Sequence, residues 1–472
     1  MYFISFVLWT VVNLLTISFS KQFQPQLRDI TVSTTNGPIT GHPAPNRSQV
    51  HEFLGIPFAE PPTGVLRFAA PQAYRGFGPS VASDWTHIAP YTFPWLTPQA
   101  QRIINYFTGD AGTTQDEDCL TLNIWTKNLE GYDVNHPKQV LIFFYGGRGS
   151  IGNTNNPFYN GQYLSDAEDV IVVTVNYRLN IFGFPNTPHG PQNLGLRDQR
   201  LAVEWFRDNA ASFGGDPKKL TIFGQSFGGV AVDYWSYAYK DDPIVAGLPT
   251  GATSRYSLDV IPWKKAWRAY VQNHGGTLNR RPGLSESGEF AKLPYLLGNT
   301  NNEQGYYILP ALAQGANVSK NDKDQFLLQS FTCPNSLQAM NRRNQGVPTW
   351  LFRYFGDWYN LRLFNDSGAY HGADIEMIFG NDGVVSGIPP STAERRTTTL
   401  MQRAWAVFAD DPVQGLSTRL GWPLYDPDGP SLIRLAFNNN FVPDFVSPQL
   451  YDGKCSTVRL GGISVAEQQQ QH

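Results

Sequence analysis

Leu220-Thr221-Ile222-Phe223-Gly224-Gln225-Ser226-Phe227-Gly228-Gly229 is the stretch whose reading decides how this chain folds. An apolar run suited to a strand ends in Gly-Gln-Ser-Phe-Gly. A helix-compatible run with Tyr234, Trp235 and Tyr237 follows. A serine between two glycines at a strand-to-helix turn has the form of a nucleophile elbow. There the serine sits on a strained turn and only glycine fits on either side. The five-residue pattern also occurs in ordinary glycine-rich turns. It carries chemistry only if a base reaches the serine, because a free hydroxyl is a poor nucleophile at neutral pH.

Working outward, Val140 to Phe144 is a short apolar run that ends in Tyr145-Gly146-Gly147-Arg148-Gly149. Val170 to Val175 carries four valines and suits a strand buried on both faces. Leu201, Ala202, Trp205, Phe206 and Asn209 share one helical face, and Gly214-Gly215 stops that helix. Strand, crossover helix, strand, turn, helix is the rhythm of an α/β fold with a mostly parallel central sheet covered by helices. In such folds, functional groups gather beyond the carboxyl ends of strands. Two more strands are expected, at Leu293 to Leu297 and at Trp350 to Phe355. The first leads to Glu303. The second leads through Asn365-Asp366-Ser367-Gly368 to His371.

These loops supply what Ser226 lacks. His371, flanked by Gly372 in a post-strand loop, is the candidate base, and Glu303 is a candidate to orient it. Asp366 and Asp374, closer to His371 in sequence, compete for that role. Glutamate serves as well as aspartate, since the carboxylate only holds the imidazole tautomer and stabilises the imidazolium. The order Ser, Glu, His is the one α/β-hydrolases use. The Gly146-Gly147 turn and the N–H of Phe227 offer backbone donors for an oxyanion.

Composition narrows the class. Phe3 to Leu15 is apolar apart from Ser5, Thr10 and Asn13, and Ser18 and Ser20 suit signal-peptidase cleavage. The expected layout is a signal peptide at 1–20, one domain at 21–460 and a disordered tail at 461–472, hence a secreted protein without stable membrane insertion. Sequons at Asn46, Asn317 and Asn365 agree with export and glycosylation. With 36 basic and 39 acidic residues and no Lys/Arg cluster, the chain offers no footprint for nucleic acid. Three cysteines, Cys119, Cys333 and Cys455, allow one disulfide, and none has metal-ligand spacing. No metal or cofactor is expected.

Several longer motifs resemble the type-B carboxylesterase/lipase family, which includes the cholinesterases, and its secreted fungal members in particular. They are Phe53 to Ala59 with Pro61-Pro62, Glu117 to Trp125, Val175 to Leu179, Asn193 to Gln199, Phe223 to Gly229 and Tyr370 to Asp374. Together they cover the chain from about residue 30 to residue 455. The resemblance implies an α/β-hydrolase fold and a serine esterase acting on a small-molecule ester through an acyl-enzyme. It implies Ser226 as nucleophile, Glu303 as acid and His371 as base. The implied oxyanion donors are Gly147, Arg148 and Phe227. It also implies a Cys333–Cys455 disulfide, with Cys119 left unbridged.

The chain departs from that pattern in places. Arg148 stands where the family usually has glycine, and Phe227 where it usually has alanine. Both are expected to narrow the acyl pocket or twist the donors. Gln225 replaces the acidic residue of cholinesterases, which argues against choline esters. A core strand is expected directly after Leu248, but Pro249 to Ser285 departs from the pattern, and the sheet is expected to lack that strand. The segment is either a genuine replacement or a gene-model error such as a misread intron. The alternative function is a non-catalytic or truncated pseudoenzyme on the same fold. Such relatives typically lose one of the three residues that this chain keeps.

Overall fold

A computed structural model describes residues 28–76, 95–107, 116–127, 129, 135–185, 190–249 and 283–457. The expected signal peptide at 1–20, the tail at 461–472 and most of the divergent segment Pro249–Ser285 lie outside the described residues.

Among the described residues twelve strands form the core. In chain order they are β1 (Ile30–Thr34), β2 (Gly37–Ala44), β3 (Arg47–Pro57), β4 (Thr121–Lys127), β5 (Lys138–Phe144) and β6 (Ile171–Val175). They continue with β7 (Gly215–Gly224), β8 (Leu248–Pro249), β9 (Tyr295–Thr300), β10 (Thr349–Tyr354), β11 (Leu432–Leu435) and β12 (Asp444–Val446). They run β1-β2-β3-β4-β6-β5-β7 and β8-β9-β10-β11-β12. A parallel bridge between Thr221 and Gly247 joins the two runs, and the Ala246 N–H donates to the Leu220 carbonyl at 2.5 Å. The parallel pairs occupy the middle, and antiparallel strands close both ends.

The apolar runs named from sequence become β5 and β6, with β9 and β10 downstream. Alternate side chains feed opposite faces. Leu141, Phe143 and Val172 join one apolar cluster, and Val140, Ile142, Phe144, Ile171 and Val173 join the other. Burying strands on both sides is what the continuous apolar runs require. Helix α1 (Leu194–Asn209) covers one face with Ala202, Val203 and Phe206, and a 3-10 turn (Ala210–Phe213) follows it and stops at Gly214 with φ 83°. Helix α2 (Phe227–Ala238) follows the elbow. Helix α3 (Thr392–Asp410) covers the other face with Met401, Trp405 and Phe408, and its start is fixed by a capping box between Ser391 and Glu394.

The strand expected to be missing after Leu248 is present as a stub. β8 pairs Leu248 with Tyr295 and Pro249 with Leu296, filling the slot between β7 and β9 over two residues. Pro249 has no N–H to extend the ladder. Cys333 and Cys455 form a disulfide with Cα atoms 5.3 Å apart, and Cys119 is buried outside any disulfide.

Candidate active site

The site lies at the carboxyl ends of β5, β7, β9 and β10. β7 ends at Gly224, and Ser226 takes φ 56° and ψ −121°, a conformation side chains rarely adopt. Such strain costs on the order of 1–3 kcal/mol and persists only where packing over-determines it. Here it does. A Cβ on Gly228 would sit 1.8 Å from the Phe144 carbonyl oxygen, and one on Gly224 would sit 2.3 Å from the Gly228 carbonyl carbon. The two elbow glycines are therefore a steric requirement of strand against turn.

The turn after β5 meets the elbow. A Cβ on Gly146 would lie 2.7 Å from the Ser226 Cβ. Gly147, Arg148 and Gly149 all have positive φ, at 94°, 58° and 62°. Among the described residues, the N–H groups of Gly147 and Arg148 have no acceptor. The Phe227 N–H lies in the first turn of α2, where helix amides point outward. The Phe227 ring does not crowd this turn as its size suggests. It is buried edge-on to Phe184 at 5.5 Å and beside Tyr177 at 6.4 Å, so core packing absorbs its bulk.

Glu303 and His371 are both fully buried, and the imidazole Nδ1 lies 2.5 Å from the Glu303 Oε2. The other carboxylate oxygen accepts the Thr300 N–H at 2.7 Å. Asn302 ties the two loops together. Its N–H donates to the Ala369 carbonyl at 2.9 Å, and its amide donates to the Ser367 carbonyl at 2.6 Å. Of the two competing aspartates, Asp366 is exposed and Asp374 is buried with neither carboxyl oxygen hydrogen-bonded. Burial, then the nearby Glu303 charge, pushes Asp374 up to about 7. Arg353 adds a buried cation to this region. Burial pulls it down to about 10 against the opposing pull of Tyr451, Glu303 and Asp452.

The imidazole Nε2 faces the Gln225 amide nitrogen at 3.2 Å, and among the described residues no hydrogen bond joins it to Ser226. With Nδ1–H directed at a carboxylate, neutral His371 presents a lone pair at Nε2, which the Gln225 N–H satisfies. Among the described residues four aromatic rings surround the imidazole: Tyr307 at 5.0 Å, Phe331 at 5.6 Å, Phe107 at 6.1 Å and Tyr306 at 6.4 Å. Sequence reading weighed Gln225 only for its missing charge, not as a partner of His371, and gave no role to Asn302 or these rings. The first two adjoin residues it did select, whereas the rings come from separate segments with no local signal. Among the described residues no cluster of His, Cys, Asp and Glu could hold a metal ion.

Comparison with known proteins agrees with this architecture. The model of the carboxylesterase family matches residues 28–242. A secreted lipase 5 of Gibberella zeae is 28% identical, the match covering 90% of this chain and 93% of that protein. A chlorogenic acid esterase of Aspergillus niger is 30% identical over 82% of this chain and 83% of its own length. An acetylcholinesterase of Bungarus fasciatus is 36% identical over 89% and 87%. The chain belongs to the carboxylesterase family. It is a carboxylic ester hydrolase on the α/β-hydrolase fold.

Proposed function

We propose that this protein is an exported serine esterase that works through an acyl-enzyme on Ser226. The observation that carries the reading is the buried His371–Glu303 pair, 2.5 Å apart, whose imidazole contacts Gln225, the residue next to the elbow serine. Glu303 holds the Nδ1–H tautomer, so Nε2 is the base. On substrate binding the Gln225 side chain rotates away, and the Ser226 hydroxyl takes its place at Nε2. Catalytic hydrogen bonds commonly tighten only in the substrate complex. Oγ attacks the ester carbonyl as His371 takes its proton, and the imidazolium forms beside the Glu303 carboxylate. The oxyanion receives the N–H groups of Gly147, Arg148 and Phe227. Collapse expels the alcohol, which takes the proton from Nε2. Water then attacks the acyl-enzyme and gives its proton to His371; as the acid leaves, His371 returns that proton to the Ser226 Oγ.

Export is supported by the apolar leader with Ser18 and Ser20, and by the likeness to a secreted lipase. Asn46, Asn317 and Asn365 are all exposed and suit glycan attachment. Among the described residues no helix is long and apolar enough to cross a membrane. The substrate is a small carboxylic ester.

The test is turnover of short and long chromogenic esters by the wild type and by Ser226→Ala. Retained activity in the alanine variant refutes the role of Ser226. The Gln225 contact adds to the pseudoenzyme reading, because it occupies the base. Labelling by a fluorophosphonate separates the two, since a folded but unlabelled protein is not this esterase.

A further inference from the structure

We propose that Arg148 makes this site selective for esters that carry a carboxylate close to the scissile bond. The inference rests on the reading of Ser226 and His371 given above.

Arg148 directly follows Gly147 in the turn that meets the elbow. Its guanidinium lies over the Tyr307 ring, 5.4 Å from the centroid, and Tyr307 in turn packs at 5.0 Å from the His371 ring. A single aromatic ring therefore separates a fixed cation from the imidazole. Among the described residues no carboxylate pairs with Arg148. Other half-buried arginines have an acidic partner, as Arg200 has Glu204 and Asp242 and Arg434 has Asp444. The half-buried guanidinium thus has its fork of donors available, in the geometry that matches a carboxylate.

The backbone points the same way. Arg148 has φ 58°, a conformation that favours glycine, and its side chain is only half buried. Core packing therefore does not explain why a large side chain occupies this strained position. Strain kept at a ligand-facing turn is a mark of function. The rings of Phe107, Tyr306, Tyr307 and Phe331 around His371 carry no charge, so the cation has no anionic competitor among them. An ester with an anionic acyl tail or an anionic leaving group would satisfy both the aromatic wall and the guanidinium.

Two matched pairs test this and locate the carboxylate. Methyl hexanoate against monomethyl adipate places it in the acyl half, and phenyl acetate against 4-acetoxybenzoate places it in the leaving group. The readout is the ratio of kcat/KM for the anionic member to that for the neutral one. Arg148→Gln is expected to lower this ratio at least about tenfold in one pair, whereas Arg148→Lys keeps most of it. A ratio that falls less than about tenfold in both pairs for Arg148→Gln overturns the proposal. If Arg148→Gln turns over no ester, the wild type decides. Between low and high salt, kcat/KM for the anionic member must fall while that for the neutral member holds. Equal responses overturn the proposal. Loss of the parent reading shows separately, as full turnover by Ser226→Ala.

Discussion

Replacing Glu303 by glutamine tests the geometry most directly. The side chain keeps its volume in a fully buried position, so packing is preserved. Two consequences follow from the observed bonds. First, the imidazolium that forms on proton transfer loses a unit charge held at 2.5 Å through a hydrogen bond. With the charge centres about 4 Å apart and an effective dielectric of about 20, that interaction amounts to roughly 4 kcal/mol, or about three orders of magnitude in rate. Second, Thr300 must still be satisfied. Its buried N–H donates to the other Glu303 oxygen at 2.7 Å. The amide carbonyl of glutamine will take that place, turning its NH2 toward Nδ1. His371 then carries its proton on Nε2, where a lone pair is needed. The expected fall in kcat/KM is therefore at least about 1,000-fold on any ester. The same loss should appear in the rate of fluorophosphonate labelling, with circular dichroism unchanged. Asp374→Asn serves as the control and should stay within about tenfold of wild type, since Asp374 makes no bond to His371. A Glu303→Gln enzyme within tenfold of wild type, or an Asp374→Asn enzyme as impaired as Glu303→Gln, would refute the assignment.

Asp374 also predicts a pH effect on stability. Its folded-state value of about 7 stands above the ordinary 3.8, so between pH 4 and pH 7 the folded protein binds the extra proton. Stability from this group therefore falls as pH rises through that window, by at most about 4 kcal/mol. Asp374→Asn should show a gentler decline of melting temperature from pH 4 to pH 8, and parallel curves would contradict the buried carboxyl. Gly228→Ala places a Cβ 1.8 Å from the Phe144 carbonyl oxygen. A cost of more than about 3 kcal/mol is expected in urea denaturation, together with loss of labelling; a labelled, equally stable variant would mean that strand and elbow are not packed as described. The Cys333–Cys455 bond closes a separation of 122 residues. Replacing both cysteines by serine should cost up to about 5 kcal/mol on the chain-entropy view, read as a lower urea midpoint, and an unmoved midpoint would exclude that contribution.

The sequence alone determined those features whose causes are local. Gly224 and Gly228 had to be glycine because backbone passes within 3 Å of both, and that requirement is visible as Gly-x-Ser-x-Gly. The doubly buried strands were legible as apolar runs, because a strand covered on both faces has no polar side to interrupt the run. Tertiary structure alone decided which carboxylate meets His371. The parallel register that sets Asn299 beside Arg353 and Thr300 beside Tyr354 brings the loops after β9 and β10 side by side, so residue 303 reaches the imidazole and the nearer Asp366 and Asp374 do not. The destination of the Phe227 ring, the Gln225 bond to Nε2 and the stacking of Arg148 on Tyr307 were likewise settled in space. Each depends on the distance between segments far apart along the chain, and only strand register and core packing determine that distance.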